Sequence, residues 1–122
     1  MDIIEELYKV VLERKQNKQE GSYTCYLFEK GIDKILKKVG EESAETIIAA
    51  KNNDNNELKN EICDLLYHIL VLMAEQNLSW NEVKEILEER RQKIGNLKKF
   101  HQVDKNSWKK FFIMLLYSYK II

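Results

Sequence analysis

The chain has 122 residues, a formal net charge of zero and 33% charged residues. This length suits one domain that buries about two thirds of its unfolded surface, and does not suit two separate cores. Because no Lys/Arg block exceeds two in a row, the charge pattern predicts no nucleic-acid partner and favours a discrete small ligand.

Helical spacing of apolar residues predicts helices over most of the chain. The predicted helices run from Ile3 to about Lys15 after a capping box at Asp2, from Tyr23 to Lys30 between Ser22 and Gly31, from Ile32 to Lys51, from Asn56 to Gln76, and from a capping box at Ser79 to Gly95. A short strand is the alternative for the second of these. Because proline is absent and strand-like alternation is lacking, we expect an all-α fold, a four-helix-type bundle with one short extra helix.

The last part of the chain, residues 96–122, is more apolar. Its large side chains recur as one helical stripe, formed by Trp108, Phe111, Phe112, Leu115, Leu116 and Tyr119. The longest uncharged run, Phe111–Tyr119, is about half of what a membrane span needs, so no membrane partner is expected. We expect an added helix that docks on the bundle or on a second subunit. A weak membrane-surface anchor and a poorly ordered extension are the alternatives.

Two acidic clusters lie at the centre of the chain, Glu41-Glu42-x-x-Glu45 and Glu61-x-x-Asp64. At about 100° per residue, each cluster borders the apolar side of its helix. Helices joined by a short turn pack antiparallel, so these carboxylates would converge on one partly buried spot, where unpaired negative charge is unfavourable. Carboxylate oxygens in such a group suit Mg²⁺. The alternative is that both clusters are solvated helix faces.

The helix that carries the second cluster has two further features. His68 shares the stripe of Glu61 and could contact a phosphate or orient an acid, or it could be a packed, hydrogen-bonded core residue. The predicted core stripe of this helix consists of Leu58, Ile62, Leu65, Leu66, Ile69 and Leu72.

Three lysines precede the first cluster. Lys34 and Lys38 project onto the same side of the helix as Glu41, and Lys37 lies just outside it. Cations beside a carboxylate-metal group suit a polyphosphate ligand. Ordinary pairing with glutamates one turn away on a wet surface is the alternative.

The cysteines and the N-terminal residues predict the cellular compartment of the protein. Cys25 and Cys63 lack C-x-x-C spacing and are predicted to be small, reduced core residues. The chain opens with acidic residues instead of a basic segment followed by an apolar run, so we expect no secretory signal and a cytoplasmic protein.

Several motifs together carry a family resemblance. The pattern E-E-x-x-E followed by E-x-x-D resembles the all-α, MazG-like nucleotide pyrophosphohydrolase superfamily. The ordered set Gly21-Ser22-Tyr23-Thr24, Lys34-Ile35-x-Lys37-Lys38-Val39-Gly40-Glu41-Glu42 and Asp64-Leu65-Leu66-Tyr67-His68 is similar to the phosphoribosyl-ATP pyrophosphohydrolase family of histidine biosynthesis. The resemblance covers residues 1–95, so residues 1–95 and 96–122 are predicted as two parts.

The resemblance implies a homodimer that hydrolyses phosphoribosyl-ATP to phosphoribosyl-AMP and pyrophosphate with Mg²⁺. The implied roles are metal binding by Glu42, Glu45, Glu61 and Asp64, catalysis by Glu41 and Glu42 with Glu41 as an outer carboxylate or the general base, and substrate contacts from Lys34, Lys37, Lys38 and His68. Tyr23 and Thr24 could contact the ligand or simply cap and pack. The alternatives are a house-cleaning pyrophosphatase for other nucleoside triphosphates and a non-catalytic helical interaction module.

Overall fold

The computed structural model describes residues 2–93 and 107–118, with the side chains of residues 109–114 in the second range. All regular structure in these ranges is helical, which confirms the all-α prediction. The helices are α1 (Ile3–Gln16), α2 (Tyr23–Lys30), α3 (Ile32–Lys51), α4 (Asn55–Glu75), α5 (Trp80–Gln92) and α6 (Ser107–Ser118). The predicted stop at Gly95 lies outside the described residues.

Side-chain caps explain where the helices begin. At four starts an oxygen accepts the backbone N–H three residues ahead: Asp2 from Glu5, Ser22 from Cys25, Asp54 from Glu57 and Ser79 from Glu82. The Ser79 box is reciprocal, since the Ser79 N–H donates to the Glu82 carboxylate at 2.9 Å. The three caps predicted from the sequence, at Asp2, Ser22 and Ser79, are confirmed.

A tight turn sets α3 against α4. Asn53 adopts a left-handed conformation with φ of 56°. The Asn53 N–H donates to the Ala50 carbonyl and the Asp54 N–H to the Ala49 carbonyl, which is a Schellman end. Because Asp54 then caps α4 directly, the chain reverses within a few residues. The acidic clusters on α3 and α4 are thereby brought side by side.

The core of the bundle lies around the second half of α4. Its buried residues come from α1, α2, α3 and α4 and are Tyr8, Val11, Leu27, Ile35, Leu70, Val71, Met73 and Ala74. α4 packs mainly against α3 and α1, and Trp80 and Val83 of α5 pack against the same core. Two hydrogen bonds tie α1 to the end of α4: the Tyr8 hydroxyl donates to the Leu78 carbonyl at 2.5 Å, and the Lys15 ammonium donates to the Ala74 carbonyl at 2.6 Å.

Some predicted core positions are wrong. Ile62 and Leu66 are 42% and 44% exposed, because α4 carries apolar residues on most of its circumference and the single chain covers only the side that holds Glu61 and His68. Cys25 is buried as predicted, whereas Cys63 is exposed.

Contacts divide the chain into the units Met1–Val83 and Lys84–Ile122. The first holds α1 to α4 and the start of α5. In the second, the helix predicted from Trp108 is present as α6, while residues 96–106 and 119–122 lie outside the described residues. The boundary at residue 95 and the docking of the tail stay predictions. Within the described ranges, no helix is both long and apolar enough to cross a membrane.

Candidate active site

Carboxylates from α3 and α4 meet where the two helices pack together. One oxygen from each of Glu42, Glu45 and Glu61 lies within 4.8 Å of the others. Glu42 and Glu61 are buried, at 6% and 8% exposure, whereas Glu45 is exposed. The group therefore runs from the helix interface to the surface. We call Glu42, Glu45 and Glu61 the carboxylate group.

Two oxygens of this group lack partners. The Oε2 atoms of Glu42 and Glu61 are buried without a hydrogen-bond partner in the described structure. A buried carboxylate oxygen that is left unpaired is unfavourable, so the arrangement suits a bound cation. Oxygen-only ligands favour Mg²⁺ over softer metals.

Lys38 offsets part of the negative charge on the α3 side. Lys38 forms ion pairs at 3.3 Å with Glu41 and with Glu42, and its side chain is only 24% exposed. Burial lowers the pKa of Lys38, but hydrogen bonds to Glu41 and Glu42 outweigh that effect and raise the pKa above its ordinary value. Lys38 is therefore a permanent cation beside the carboxylate group. Lys37 lies farther out, 60% exposed and 3.9 Å from Glu41.

The three carboxyls differ in protonation. Hydrogen bonding with Glu42 is the largest cause that raises the pKa of Glu61 to about 8, followed by burial and Glu45. Burial raises the pKa of Glu42, but hydrogen bonds with Glu61, Glu45 and Lys38 together hold it below its ordinary value. Hydrogen bonding with Glu61 lowers the pKa of Glu45, yet burial and Glu42 raise it overall. At neutral pH the metal-free group thus keeps a proton, located on Glu61.

A cavity of about 330 Å³ opens beside the carboxylate group at the α3–α4 turn. Its walls are formed by Glu45, Ile48, Ala49, Asn52, Asp54, Glu57 and Glu61. Asn52 and Asp54 lie between the predicted helices 32–51 and 56–76, where the sequence predicts only a short connecting turn. Their place beside the cavity follows from the tight reversal, and the only sequence signal was the polar character of the turn.

Asp64 and Lys34 do not join the carboxylate group. Asp64 is exposed and lies outside the set of converging oxygens. At about 100° per residue, Asp64 projects roughly 60° from Glu61, and this rotation turns Asp64 out of the α3–α4 interface. Lys34 is partly buried about one turn before Lys38. Metal binding by Asp64 and phosphate binding by Lys34 stay predictions.

His68 lies beneath Tyr23 in the packed, hydrogen-bonded arrangement. The ring is 5% exposed. Its Nδ1 lies 2.7 Å from the Asp64 carbonyl oxygen and its Nε2 lies 3.0 Å from the Tyr23 hydroxyl. A direct contact between His68 and a substrate phosphate would require one of these hydrogen bonds to break.

Comparison with known proteins identifies the family. A family model described as phosphoribosyl-ATP pyrophosphohydrolase matches residues 4–91. The chain belongs to the phosphoribosyl-ATP pyrophosphohydrolase family. The resemblance carried by the motifs is thereby confirmed, and every site residue discussed above lies within the matched range. α6 and the rest of the tail lie beyond it.

Curated relatives of the phosphoribosyl-ATP pyrophosphohydrolase family cover most of the chain. The phosphoribosyl-ATP pyrophosphatase of Clostridium novyi is 57% identical over 98 residues, which are 80% of this chain and 89% of the relative. That of Listeria welshimeri is 53% identical over 102 residues, 84% of this chain and 98% of the relative. The histidine biosynthesis bifunctional protein HisIE of Lactococcus lactis is 55% identical over 100 residues, 82% of this chain and 47% of that longer protein.

The raised pKa of Glu61 predicts how the stability of the folded protein depends on pH. In the unfolded chain Glu61 ionises near its ordinary pKa of 4.5, whereas in the folded protein its pKa is about 8. Between these values the folded state binds more protons than the unfolded state, so stability falls as the pH rises. We expect the melting temperature of the metal-free protein, measured in EDTA, to fall between about pH 6 and about pH 8.

Glu61→Gln supplies the comparison, because the amide cannot ionise. This variant should lose most of that pH dependence, while Glu85→Gln, on the exposed surface of α5, should retain it. The lowered pKa of Glu42 adds no pH dependence to the stability between about pH 6 and about pH 8, because Glu42 is ionised in both the folded and the unfolded state over that range. An unchanged slope in Glu61→Gln would place the shared proton elsewhere.

Proposed function

We propose that the protein hydrolyses 1-(5-phosphoribosyl)-ATP to 1-(5-phosphoribosyl)-AMP and pyrophosphate, as the second step of histidine biosynthesis, in a Mg²⁺-dependent reaction. The carboxylate group supports this proposal, because two of its buried oxygens lack partners and Lys38 lies directly beside it. Family membership and the names of the relatives point to the same substrate.

The carboxylate group would hold Mg²⁺ through Glu42, Glu45 and Glu61. When bound, Mg²⁺ supplies positive charge for the phosphates and lowers the pKa of a neighbouring water. Ionisation of Glu61 accompanies binding, since a carboxyl that ligates a cation must release its proton. Asp64, which is exposed on α4, is proposed as a fourth ligand.

Glu41 is the proposed general base or outer carboxylate. It is partly buried and paired with Lys38 at 3.3 Å, so it is anchored beside Glu42 without belonging to the carboxylate group itself. A carboxylate in that place can accept a proton from an attacking water. Lys38, with Lys34 and Lys37 farther along the helix surface, is proposed to bind the phosphates of the substrate.

A pyrophosphate-release assay tests the proposal. The purified protein is given phosphoribosyl-ATP or, separately, ATP, dATP, dCTP or dUTP, each with Mg²⁺ and with EDTA. We expect turnover of phosphoribosyl-ATP that requires Mg²⁺ and much slower turnover of the others. Faster hydrolysis of an ordinary nucleoside triphosphate would favour the house-cleaning role. No turnover of any of them would contradict the enzymatic assignment.

We also propose a homodimer in the cytoplasm, where a highly charged nucleotide that does not cross membranes unaided is available. Ile62 and Leu66 lie one turn apart on α4 and are 42% and 44% exposed, and Ile48 on α3 is 49% exposed. Exposed apolar side chains of this size suit a protein interface. A second copy of the chain is the proposed partner, since the packing of α3 and α4 leaves these residues uncovered.

A charge at this surface should separate the subunits. In Leu66→Lys the exposed position accepts the lysine in the single chain without disturbing its core, but the charge would be buried in a dimer. We expect sedimentation equilibrium to show a lower mass for Leu66→Lys than for the unaltered protein, with unchanged helical circular dichroism. Ile3→Lys on α1, where Ile3 is 66% exposed, is the control and should leave the mass unchanged. If Leu66→Lys retains the mass of the parent, Leu66 does not lie in the interface.

A further inference from the structure

The hydrogen bonds of His68 fix the direction in which the Tyr23 hydroxyl points its proton. A backbone carbonyl can only accept, so the Asp64 carbonyl at 2.7 Å requires a proton on Nδ1 of His68. In the neutral ring Nε2 is then a bare acceptor, and the Tyr23 hydroxyl at 3.0 Å donates to it. With its proton directed inward, the Tyr23 oxygen can only accept from other groups.

The rings around Tyr23 hold it in place. His68 meets Tyr23 edge-on, with ring centroids 5.7 Å apart, and the Tyr26 ring stacks on Tyr23 at 6.1 Å. Tyr67 meets His68 edge-on at 5.8 Å. These contacts restrict both rings and leave little freedom for the Tyr23 hydroxyl to turn away from Nε2.

Tyr23 also reaches the surface beside the proposed phosphate site. It is 45% exposed, and a cavity of about 460 Å³ adjoins it, with Gly21 and Ser22 among the walls. Burial is the largest cause that raises the pKa of the Tyr23 hydroxyl, and Lys38 and Glu42 act on it with opposite signs. Tyr23 therefore borders the cavity, and its hydroxyl lies within electrostatic range of Lys38 and Glu42.

We propose that Tyr23 binds a ribose hydroxyl of the substrate through its oxygen, and that His68 is a positioning residue that acts through Tyr23. The role of His68 would then be indirect: its Nε2 accepts the hydrogen bond that the Tyr23 hydroxyl donates, which leaves the phenol oxygen as an acceptor for the substrate. This inference rests on the proposed function, because it assigns a ribose-containing substrate to the same site.

Steady-state kinetics on the full chain tests the inference. A neutral hydrogen bond to substrate is worth about three- to tenfold in affinity. Tyr23→Phe keeps the ring and removes the acceptor, so we expect KM for phosphoribosyl-ATP to rise by about that factor with kcat nearly unchanged. His68→Leu should raise KM similarly. The double variant should be no worse than either single variant, because both changes remove the same interaction.

Two further variants sharpen the comparison. His68→Gln retains an acceptor for the Tyr23 hydroxyl and should restore most of the lost affinity. Tyr67→Phe removes the hydroxyl of the other ring against His68 and should leave KM unchanged. Tyr23→Phe removes only the hydrogen bond to Nε2 of His68, so we expect this variant to fold. If His68→Leu does not fold, Tyr23→Phe alone tests the inference.

An unchanged KM in Tyr23→Phe, or effects that multiply in the double variant, would overturn the inference. A second readout does not depend on turnover. The ¹⁵N resonance of His68 Nε2, assigned by its loss in His68→Gln, should move in Tyr23→Phe and stay in place in Tyr67→Phe. If the unaltered protein does not hydrolyse phosphoribosyl-ATP, the proposed function fails. A ¹⁵N resonance that also fails to respond to Tyr23→Phe then overturns the positioning role separately.

Discussion

Replacing Glu61 by Gln is expected to reduce kcat for phosphoribosyl-ATP by at least about a thousandfold, since the change removes an anionic oxygen from the proposed metal site. Glu61 is the member that α4 contributes to the carboxylate group, while Glu42 and Glu45 both come from α3. Its loss would therefore remove an oxygen that α4 contributes to the proposed metal site. The apparent affinity for Mg²⁺ should fall as well.

The same variant should fold at least as well as its parent when metal is absent. Glu61 keeps a proton in the folded protein because hydrogen bonding with Glu42, then burial and Glu45, raise its pKa to about 8. An amide stays neutral at every pH, so at about pH 8 and above the variant lacks the repulsion that ionised Glu61 adds beside Glu42 and Glu45. We expect an unchanged helical circular dichroism signal and, at about pH 8, a higher melting temperature in EDTA.

Activity and stability measured together decide the role of Glu61. Low activity with a normal or raised melting temperature supports a ligand, whereas low activity with a lowered melting temperature would indicate only a structural contribution. Glu85→Gln serves as the surface control. Full activity in Glu61→Gln would contradict the metal-site assignment.

The convergence of the carboxylates could be predicted because it depends on short-range geometry. Glu42 and Glu45 lie on one side of α3 by helical spacing alone, and a short polar turn predicts the antiparallel return that brings Glu61 alongside. The helix starts could be predicted equally well from the sequence, because Ser22 and Ser79 accept hydrogen bonds from backbone groups only three residues away. Both kinds of feature need no knowledge of the rest of the fold.

Features that depend on which helix covers which side could not be predicted in the same way. Glu61 and Asp64 share a stripe, but only the packing of α3 shows that Glu61 is covered and Asp64 exposed. Ile62 and Leu66 fit the predicted apolar stripe of α4 as well as its covered members do, yet they are exposed in the single chain. Periodicity identifies the apolar residues of α4 without stating whether the partner is the same chain or another copy.

Long-range hydrogen bonds were also beyond the sequence pattern. Tyr23 and His68 are 45 residues apart, and their contact at 3.0 Å arises because α2 and α4 both pack near α3. The sequence predicts substrate contacts from Lys34, Lys37 and Lys38 alike, although Lys37 lies just outside the side of the helix that the other two share. The structure separates them by burial and by partner, which makes their expected contributions unequal.

Lys38→Met is expected to lower kcat/KM for phosphoribosyl-ATP by about ten- to a hundredfold, and Lys37→Met, which removes an exposed ammonium group also proposed to bind phosphate, by only about threefold. Lys38 is largely buried and pairs with two glutamates at 3.3 Å, so its ammonium group is held in place before substrate arrives. Lys37 is 60% exposed, and an exposed ion pair contributes little. Methionine retains the apolar stem, which limits any loss of packing.

The response to Mg²⁺ shows whether Lys38 acts on the substrate or only supports the site. Without its cation, the carboxylates attract a divalent ion at least as strongly, so the affinity for Mg²⁺ should be unchanged or higher while KM for phosphoribosyl-ATP rises. The pKa of Glu42 should rise too, because Lys38 is among the groups that lower it. If Lys38→Met instead lost Mg²⁺ affinity and kcat together with KM unchanged, Lys38 would support the carboxylate group and the phosphates would be bound elsewhere.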